Sequence, residues 1–210
     1  MIAAIILAAG ASQRMGQPKA LLRFRGATFL ETVLDASRAA GVDRRIVVVG
    51  PDGDKVLSGI DLAGASAVRN PDPATGPIGS LRIALLEVLN HPVEGVVAWH
   101  VDRPHVTVAT IRALVERFGR GDAVIVVPEY HGRHGHPVLF GRAVFQELLN
   151  APVSEGARAV VRADPSRVAL VQVEDPAVVE DVDTPEAYRN LLRSIDRSDA
   201  SPRPPEPPLP

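Results

Sequence analysis

The chain has 210 residues, 46% of them apolar and 23% charged, proportions of an ordinary globular protein that exclude a collagenous, wholly disordered or membrane-spanning body. Its 23 Lys and Arg against 25 Asp and Glu leave a formal net charge of -2, so no basic field exists to grip a phosphate backbone and nucleic acid is not an expected partner. The absence of cysteine removes disulfides, thiolate zinc sites and a cysteine nucleophile, and suits a cytoplasmic location.

The first apolar run, residues 2–7, has no cationic segment before it and meets Gly10, Arg14 and Lys19 soon after. It is too short to span a bilayer and reads as a buried strand of a parallel sheet, not as a signal peptide. Apolar β-branched runs at 45–49, 96–101, 123–127 and 168–173 predict four more strands. Helical spacing predicts helices over 28–40, 78–89, 107–118, 142–149, 154–162 and 184–194. Thr28, Thr107, Ser154 and Thr184 stand at their starts, where N-caps belong, and Gly41 and Gly119 end two of them. Strand and helix alternate, which predicts an α/β fold with a mostly parallel sheet covered on both faces, because parallel neighbours need crossovers. The outer faces of the helices over 107–118 and 184–194 mix both charges, so no membrane partner is expected. Residues 1–195 read as one domain. Residues 198–210 hold six prolines, so 196–210 is expected to be a disordered or polyproline-like tail, with recognition by a partner domain as the alternative.

Ligands of such folds sit beyond the carboxyl ends of the strands. The first strand runs into Leu7-Ala8-Ala9-Gly10, then Ser12, Arg14, Gly16, Pro18 and Lys19. Small side chains expose backbone N–H groups that can form a concave anion site, and the two cations add full charges. Neither the Walker A spacing nor Gly-x-Gly-x-x-Gly is present. Spacing alone fits a glycine-rich turn with surface cations equally well.

The same residues, Leu7-Ala8-Ala9-Gly10 followed by Ser12, Arg14-Met15-Gly16 and Pro18-Lys19, resemble the signature of nucleotidyltransferases with a three-layer αβα Rossmann-like fold. Among these the chain is most similar to the molybdenum cofactor cytidylyltransferase group. Further matches follow in that group's order: Asn70-Pro71 with Gly76 and Ser80-Leu81, Asp102 with Pro104, Gly132-Arg133, Gly135-His136-Pro137-Val138-Leu139-Phe140, Gly156-Ala157-Arg158 and Asp181-Val182-Asp183-Thr184-Pro185. The resemblance covers residues 1–192. It implies transfer of a nucleoside monophosphate from an NTP to a phosphorylated small-molecule acceptor, a molybdenum-bound pterin phosphate in that group, with release of pyrophosphate. It also implies an acceptor-delivery protein as partner. By the resemblance, Leu7, Ala8, Ala9 and Gly10 face the nucleotide, Asn70, Gly76 and Ser80 surround the base, Arg14 and Lys19 hold the phosphates, and His136 and Pro137 flank the acceptor. The chemistry agrees with such a set of residues. An anionic acceptor is repelled by the oxygens around the α-phosphorus unless cations compensate, and an acceptor phosphate, already ionised, needs no general base.

Magnesium takes hard oxygen ligands, typically one or two carboxylates with water and phosphate for the rest. Asp102 follows the run 96–101 at a strand's carboxyl end and is the first candidate; capping a turn is its alternative role. Asp181 and Asp183 project to one side of an extended segment. The resemblance implies Asp183 as the second ligand and Asp181 as a structural partner, with a metal-free acidic turn as the alternative. His131, His134 and His136 crowd one segment, but its two glycines make it a turn into another extended run, where side chains need not converge on a metal. His91, His100 and His105 show no partner and read as solvated or packed, and Trp99 as core. CTP is the favoured nucleotide. The stretch Gly76-Pro77-Ile78-Gly79 leans towards guanylyl relatives, which keeps GTP, or UTP with a sugar phosphate, as the alternative. A non-catalytic nucleotide-binding module is the alternative of another class. Arg103, where the group commonly has glutamine, and Ser154-Glu155, where it has an aspartate, depart from the group's pattern.

Overall fold

A computed structural model of the chain describes residues 1–10 and 12–199. Along the first strand, β1 (Ile2–Ala8), Ala4 and Ile6 enter one hydrophobic core while Ala3, Ile5 and Leu7 enter another, as the two-residue period of a strand requires. Burial on both faces is why this strand is an unbroken apolar run. The chain continues through a short hairpin, β2 (Arg23–Phe24) and β3 (Ala27–Thr28), into α1 (Phe29–Ala39), β4 (Arg44–Val49), α2 (Gly53–Leu57), β5 (Ser66–Arg69), α3 (Gly76–Val88) and β6 (Gly95–His100). Then come α4 (Val108–Gly119), β7 (Ile125–Tyr130), β8 (Arg133–His134), β9 (Val138–Gly141), α5 (Phe145–Asn150), α6 (Ala157–Ala163), β10 (Val168–Gln172) and α7 (Pro185–Asp199).

The main sheet has the order β10-β7-β9-β6-β1-β4-β5, with β8 paired to β7. Its pairs are parallel except those made by β9 and β8. Phe29, Leu30, Val33 and Leu34 of α1, Ile111 and Leu114 of α4 and Leu191 of α7 pack on one face. Leu81, Leu85 and Val88 of α3, Phe145 and Leu148 of α5 and Val160 of α6 pack on the other. This is the mostly parallel, three-layer αβα Rossmann-like arrangement expected from the alternation. Trp99 is fully buried in the first of the two cores.

Three of the four hydroxyl caps form. Thr28 makes a reciprocal capping box with Glu31, Thr107 accepts from the Thr110 amide, and Thr184 accepts from the Ala187 amide. Ser154 does not cap: the Gly156 and Glu155 amides turn back onto the Pro152 carbonyl, and α6 starts after Gly156, which has a φ of 64°. The helix expected over 142–149 opens as a 3-10 turn, Arg142–Val144, before α5. The last helix runs to Asp199, beyond the expected domain end at 195, because neither glycine nor proline interrupts it before Pro202. The remainder of the expected proline-rich tail, from residue 200, lies outside the described residues. Among the described residues no helix is long and apolar enough to cross a membrane.

Asp175 fastens α4 to the segment before α7. It is 5% exposed, and its carboxylate accepts from the Thr107 amide at 2.9 Å, from the Thr107 and Thr110 hydroxyls at 3.0 and 2.6 Å, and from the Ala177 amide at 3.2 Å. Asp175→Ala strands these donors, so urea unfolding should show a loss of about 2–4 kcal/mol. A loss below about 0.5 kcal/mol would mean that the network contributes nothing net.

Candidate active site

β1 and β6 are parallel neighbours in the sheet, so the turns leaving their carboxyl ends lie side by side. After β1 the chain makes one 3-10 turn, Gln13–Met15, and a second, Lys19–Leu21. The Ser12 hydroxyl ties this loop: it accepts from the Lys19 amide at 3.0 Å and donates to the Gly10 carbonyl at 3.3 Å. Asp102 stands in the turn after β6, and its carbonyl accepts from the Val182 amide at 2.9 Å, which brings residues 181–183 alongside.

Lys19, Asp102 and Asp183 meet here. Lys19 Nζ lies 2.7 Å from Asp102 Oδ2 and also donates to Asp183 Oδ1, residues 83 and 164 positions away along the chain. Arg14 Nη1 reaches Asp183 Oδ2 at 3.7 Å from an exposed side chain, a contact worth little by itself. The Lys19 and Asp102 side chains are only 14% and 16% exposed. Burial alone would lower the Lys19 pKa, but Asp102 and Asp183 outweigh it and raise it above the usual lysine value, so this group is an ammonium at neutral pH. The hydrogen bond from Lys19 holds Asp183 below the usual carboxylate range. Arg103, beside Asp102, is turned away from the cleft.

A cavity of about 260 Å³ opens over Lys19 and Asp102, with Asp183 and Arg14 outside its lining. Leu7, Ala8, Ala9, Gly10, Lys19, Gly76, Ser80 and Asp102 line it, so eight of the residues proposed from sequence share one wall. Gly76 and Pro77 begin α3 there, with Gly76 at a φ of 67°, and the partly positive end of that helix favours an anion. Asn70 is not in the wall. It is buried behind it, donating to Ser80 Oγ at 3.0 Å and accepting from the Asp72 amide at 2.9 Å, so it acts by fixing Ser80.

A second cavity of about 350 Å³ shares Leu7, Pro77 and His100 with the first, making one cleft. His136 lines it, and Ser154, Gly156 and Arg158 are also in its lining. Pro137 is buried outside that lining. The His100 and His136 rings lie edge to face with centroids 5.1 Å apart, so His100 is no isolated packed histidine but part of the cleft. His131 and His134 are exposed, against Tyr130 and Glu129 respectively, and do not join His136. A third cavity extends the cleft past Gly10 to Gly50, Asp52 and Lys55. Sequence reasoning missed this wall, although Gly50 ends the apolar run of β4 as Gly10 follows that of β1.

Burial, followed by the neighbouring His100, pushes the His136 pKa down to about 3. Burial likewise pushes His105 down to about 4. Unfolding releases both to the ordinary value near 6.5, so the unfolded chain binds more protons below that pH. Stability is therefore complete above about pH 6.5 and falls as the pH drops towards 4 and 3. His136→Gln should flatten the slope of unfolding free energy against pH between 4 and 6 by about one proton. An unchanged slope would show that His136 charges in the folded chain.

The carboxylate pair fits a hard divalent cation. Asp102 and Asp183 both present anionic oxygens to the Lys19 ammonium, and Asp183 also faces Arg14. A pair of carboxylates matches magnesium's habit of adding water and phosphate oxygens to one or two such ligands; among the described residues no group of three or more His, Cys, Asp or Glu could hold a metal.

Residues 4–173 match the MobA-like NTP transferase domain. The molybdenum cofactor cytidylyltransferase of Escherichia coli K12 is 29% identical over 186 residues, 88% of this chain and 92% of that protein. The nicotine blue oxidoreductase of Paenarthrobacter nicotinovorans is 30% identical over 202 residues, 91% and 96% of the two chains. The crystal structure of Rv0371c from Mycobacterium tuberculosis H37Rv superposes with a TM-score of 0.83 at 35% identity, covering 92% of this chain and 98% of that one. The same protein has also been solved in complex with manganese. With 170 consecutive residues matched and the cleft at the carboxyl edge of the sheet, the chain belongs to the MobA-like NTP transferase domain family.

Proposed function

We propose that the chain is a magnesium-dependent nucleotidyltransferase that moves a nucleoside monophosphate from an NTP, CTP by preference, onto a phosphorylated acceptor, a molybdenum-bound pterin phosphate. The observation that carries this reading is the convergence of Lys19, Asp102 and Asp183 at the mouth of a cavity walled by Leu7–Gly10. Cytidylyl transfer onto molybdenum cofactor is named for the Escherichia coli relative, and a divalent site agrees with the manganese complex of Rv0371c.

An acceptor phosphate oxygen attacks the α-phosphorus in line, the bond from that phosphorus to the bridging oxygen breaks, and pyrophosphate leaves with the electron pair. Asp102 and Asp183 would hold a divalent ion, which would supply charge neutralisation to the triphosphate. Lys19 and Arg14 supply the chain's own positive charge, and Leu7, Ala8, Ala9 and Gly10 run along the nucleotide. Gly76 and Ser80 surround the base, with Ser80 held by Asn70. Because attack begins from an ionised phosphate, none of these residues has to remove a proton. His136, neutral and lining the second cavity, faces the acceptor without adding charge, and Pro137 supports it from behind. An acceptor-delivery protein is the expected partner.

The assay is pyrophosphate release from each NTP with magnesium and a panel of phosphorylated acceptors. CTP-dependent release that requires the acceptor is expected. The relative named as an oxidoreductase supplies a second reading, and silence across the panel combined with oxidation or reduction of a small molecule would establish it instead. Base choice is tested by Pro77→Met, since Pro77 lines both cavities whereas Ile78, mostly packed in the core, lines the second alone of these two. The ratio of kcat/KM for CTP over GTP should shift by about tenfold; an unchanged ratio would relocate base reading to another wall.

A further inference from the structure

The geometry points to Arg103 as the positioning residue that holds Asp183 opposite Asp102. This inference rests on the reading of those two carboxylates as the metal-facing pair. Lys19 and Arg14 hold the Asp183 carboxylate, but its side chain is 43% exposed, and its backbone has still to be set against the β6 turn. The fixing comes from the turn itself. Arg103 Nη1 donates to the carbonyls of Ala177 at 3.3 Å, Val178 at 3.0 Å and Glu180 at 2.5 Å, and Nη2 lies 3.7 Å from Asp181 Oδ2. The Val182 amide answers by donating to the Asp102 carbonyl. Residues 177–182 are thereby clamped to the turn immediately before the position from which Asp183 projects.

The clamp has a rigid base. Trp99, fully buried, donates its indole N–H to the Arg103 carbonyl at 3.1 Å, which ties the residue's backbone to the core. The Val178 carbonyl that Arg103 engages also accepts from the His136 amide at 2.7 Å. That approach needs glycine beside it, because a Cβ on Gly135 would stand 2.6 Å from the same oxygen. One guanidinium therefore links the carboxylate pair to the His136 side of the cleft. A direct phosphate role does not fit: the Arg103 side chain is 11% exposed and its donors are already directed at carbonyls. Glutamine offers a single amide group with two donors and cannot serve three carbonyls and a carboxylate together.

The test compares Arg103→Gln and Arg103→Lys with the unaltered chain by two readouts, hydrogen exchange without metal and Mn2+ titration by electron spin resonance with a non-hydrolysable CTP analogue. In Arg103→Gln the Val182 amide should exchange at least about tenfold faster while Val97 in β6 stays within twofold, and Mn2+ affinity should fall about tenfold. Arg103→Lys, which keeps the charge and some carbonyl bonds, should fall between. A merely structural role would speed exchange in β6 as much as at Val182 and leave Mn2+ affinity of the folded protein unchanged, which overturns the inference. Val182 exchange and Mn2+ affinity both within twofold of the unaltered chain overturn it as well. If the unaltered chain takes up no Mn2+, the metal reading of the pair falls, and with it the role assigned to Arg103; accelerated Val182 exchange would then mark a clamp without that purpose.

Discussion

Asp102→Ala lowers turnover by at least about 100-fold, equivalent to about 2.7 kcal/mol of transition-state stabilisation. The size follows from where the carboxylate stands. Asp102 is mostly buried, at the carboxyl end of β6, in van der Waals reach of the cavity that Leu7–Gly10 line. In so enclosed a place, charge aimed at the triphosphate is little screened by solvent. Its backbone carbonyl still receives the Val182 amide in the variant, so the fold around the turn persists and the loss is one of chemistry. Asp102→Asn, which preserves shape and removes charge, should lose nearly as much. Steady-state kinetics at saturating NTP, with unfolding measured alongside, decide the matter: near-normal turnover in a folded variant would remove Asp102 from the mechanism.

Lys19→Ala lowers kcat/KM for every NTP by a similar factor, about 100-fold or more, because its ammonium serves phosphates that all NTPs share. A loss confined to one base would contradict that assignment. The variant also changes the protein without substrate. Lys19 is the cation that Asp102 and Asp183 face, and its hydrogen bond is the main cause of the lowered Asp183 pKa. A depressed carboxylate contributes stability above its unfolded value, near pH 4, and loses it as the pH falls through the folded value. Lys19→Ala removes that acid-range loss, which unfolding between pH 5 and 2 would reveal as a shallower decline.

The parts of this arrangement that depend on local pattern were legible in the chain. β1, β4 and β6 are apolar on both faces and end at Ala8, Val49 and His100, so their runs marked both the strands and the edge where ligands bind. β5 escaped notice because Ser66–Arg69 is a short edge strand with half-exposed side chains. β9 is a buried run, but its insertion against the direction of β6 and β7 is a property of topology that periodicity does not carry. The site divides in the same way. Asp102 could be proposed because it follows the end of β6, and Lys19 because it belongs to the small-residue loop leaving β1 that carried the resemblance. Their meeting with Asp183 required three segments to converge, and the spacing Asp181-Val182-Asp183 alone allowed a metal-free turn. Asn70 belongs to the site through Ser80 rather than through the cavity, and Arg103 through carbonyls 74 to 77 residues away. The Arg103 contacts are to backbone carbonyls, which leave no trace in side-chain patterns, so its role was not visible beforehand.

The most direct measurement is a crystal structure of the chain with Mn2+ and a non-hydrolysable CTP analogue, the ion located by anomalous scattering. The account predicts one ion within about 2.1–2.3 Å of a carboxylate oxygen from each of Asp102 and Asp183. It also predicts that Lys19 Nζ has turned from those carboxylates to a phosphate oxygen, with Leu7–Gly10 along the nucleotide. An ion bound elsewhere, or Lys19 still bridging the two aspartates with the nucleotide in place, would contradict it.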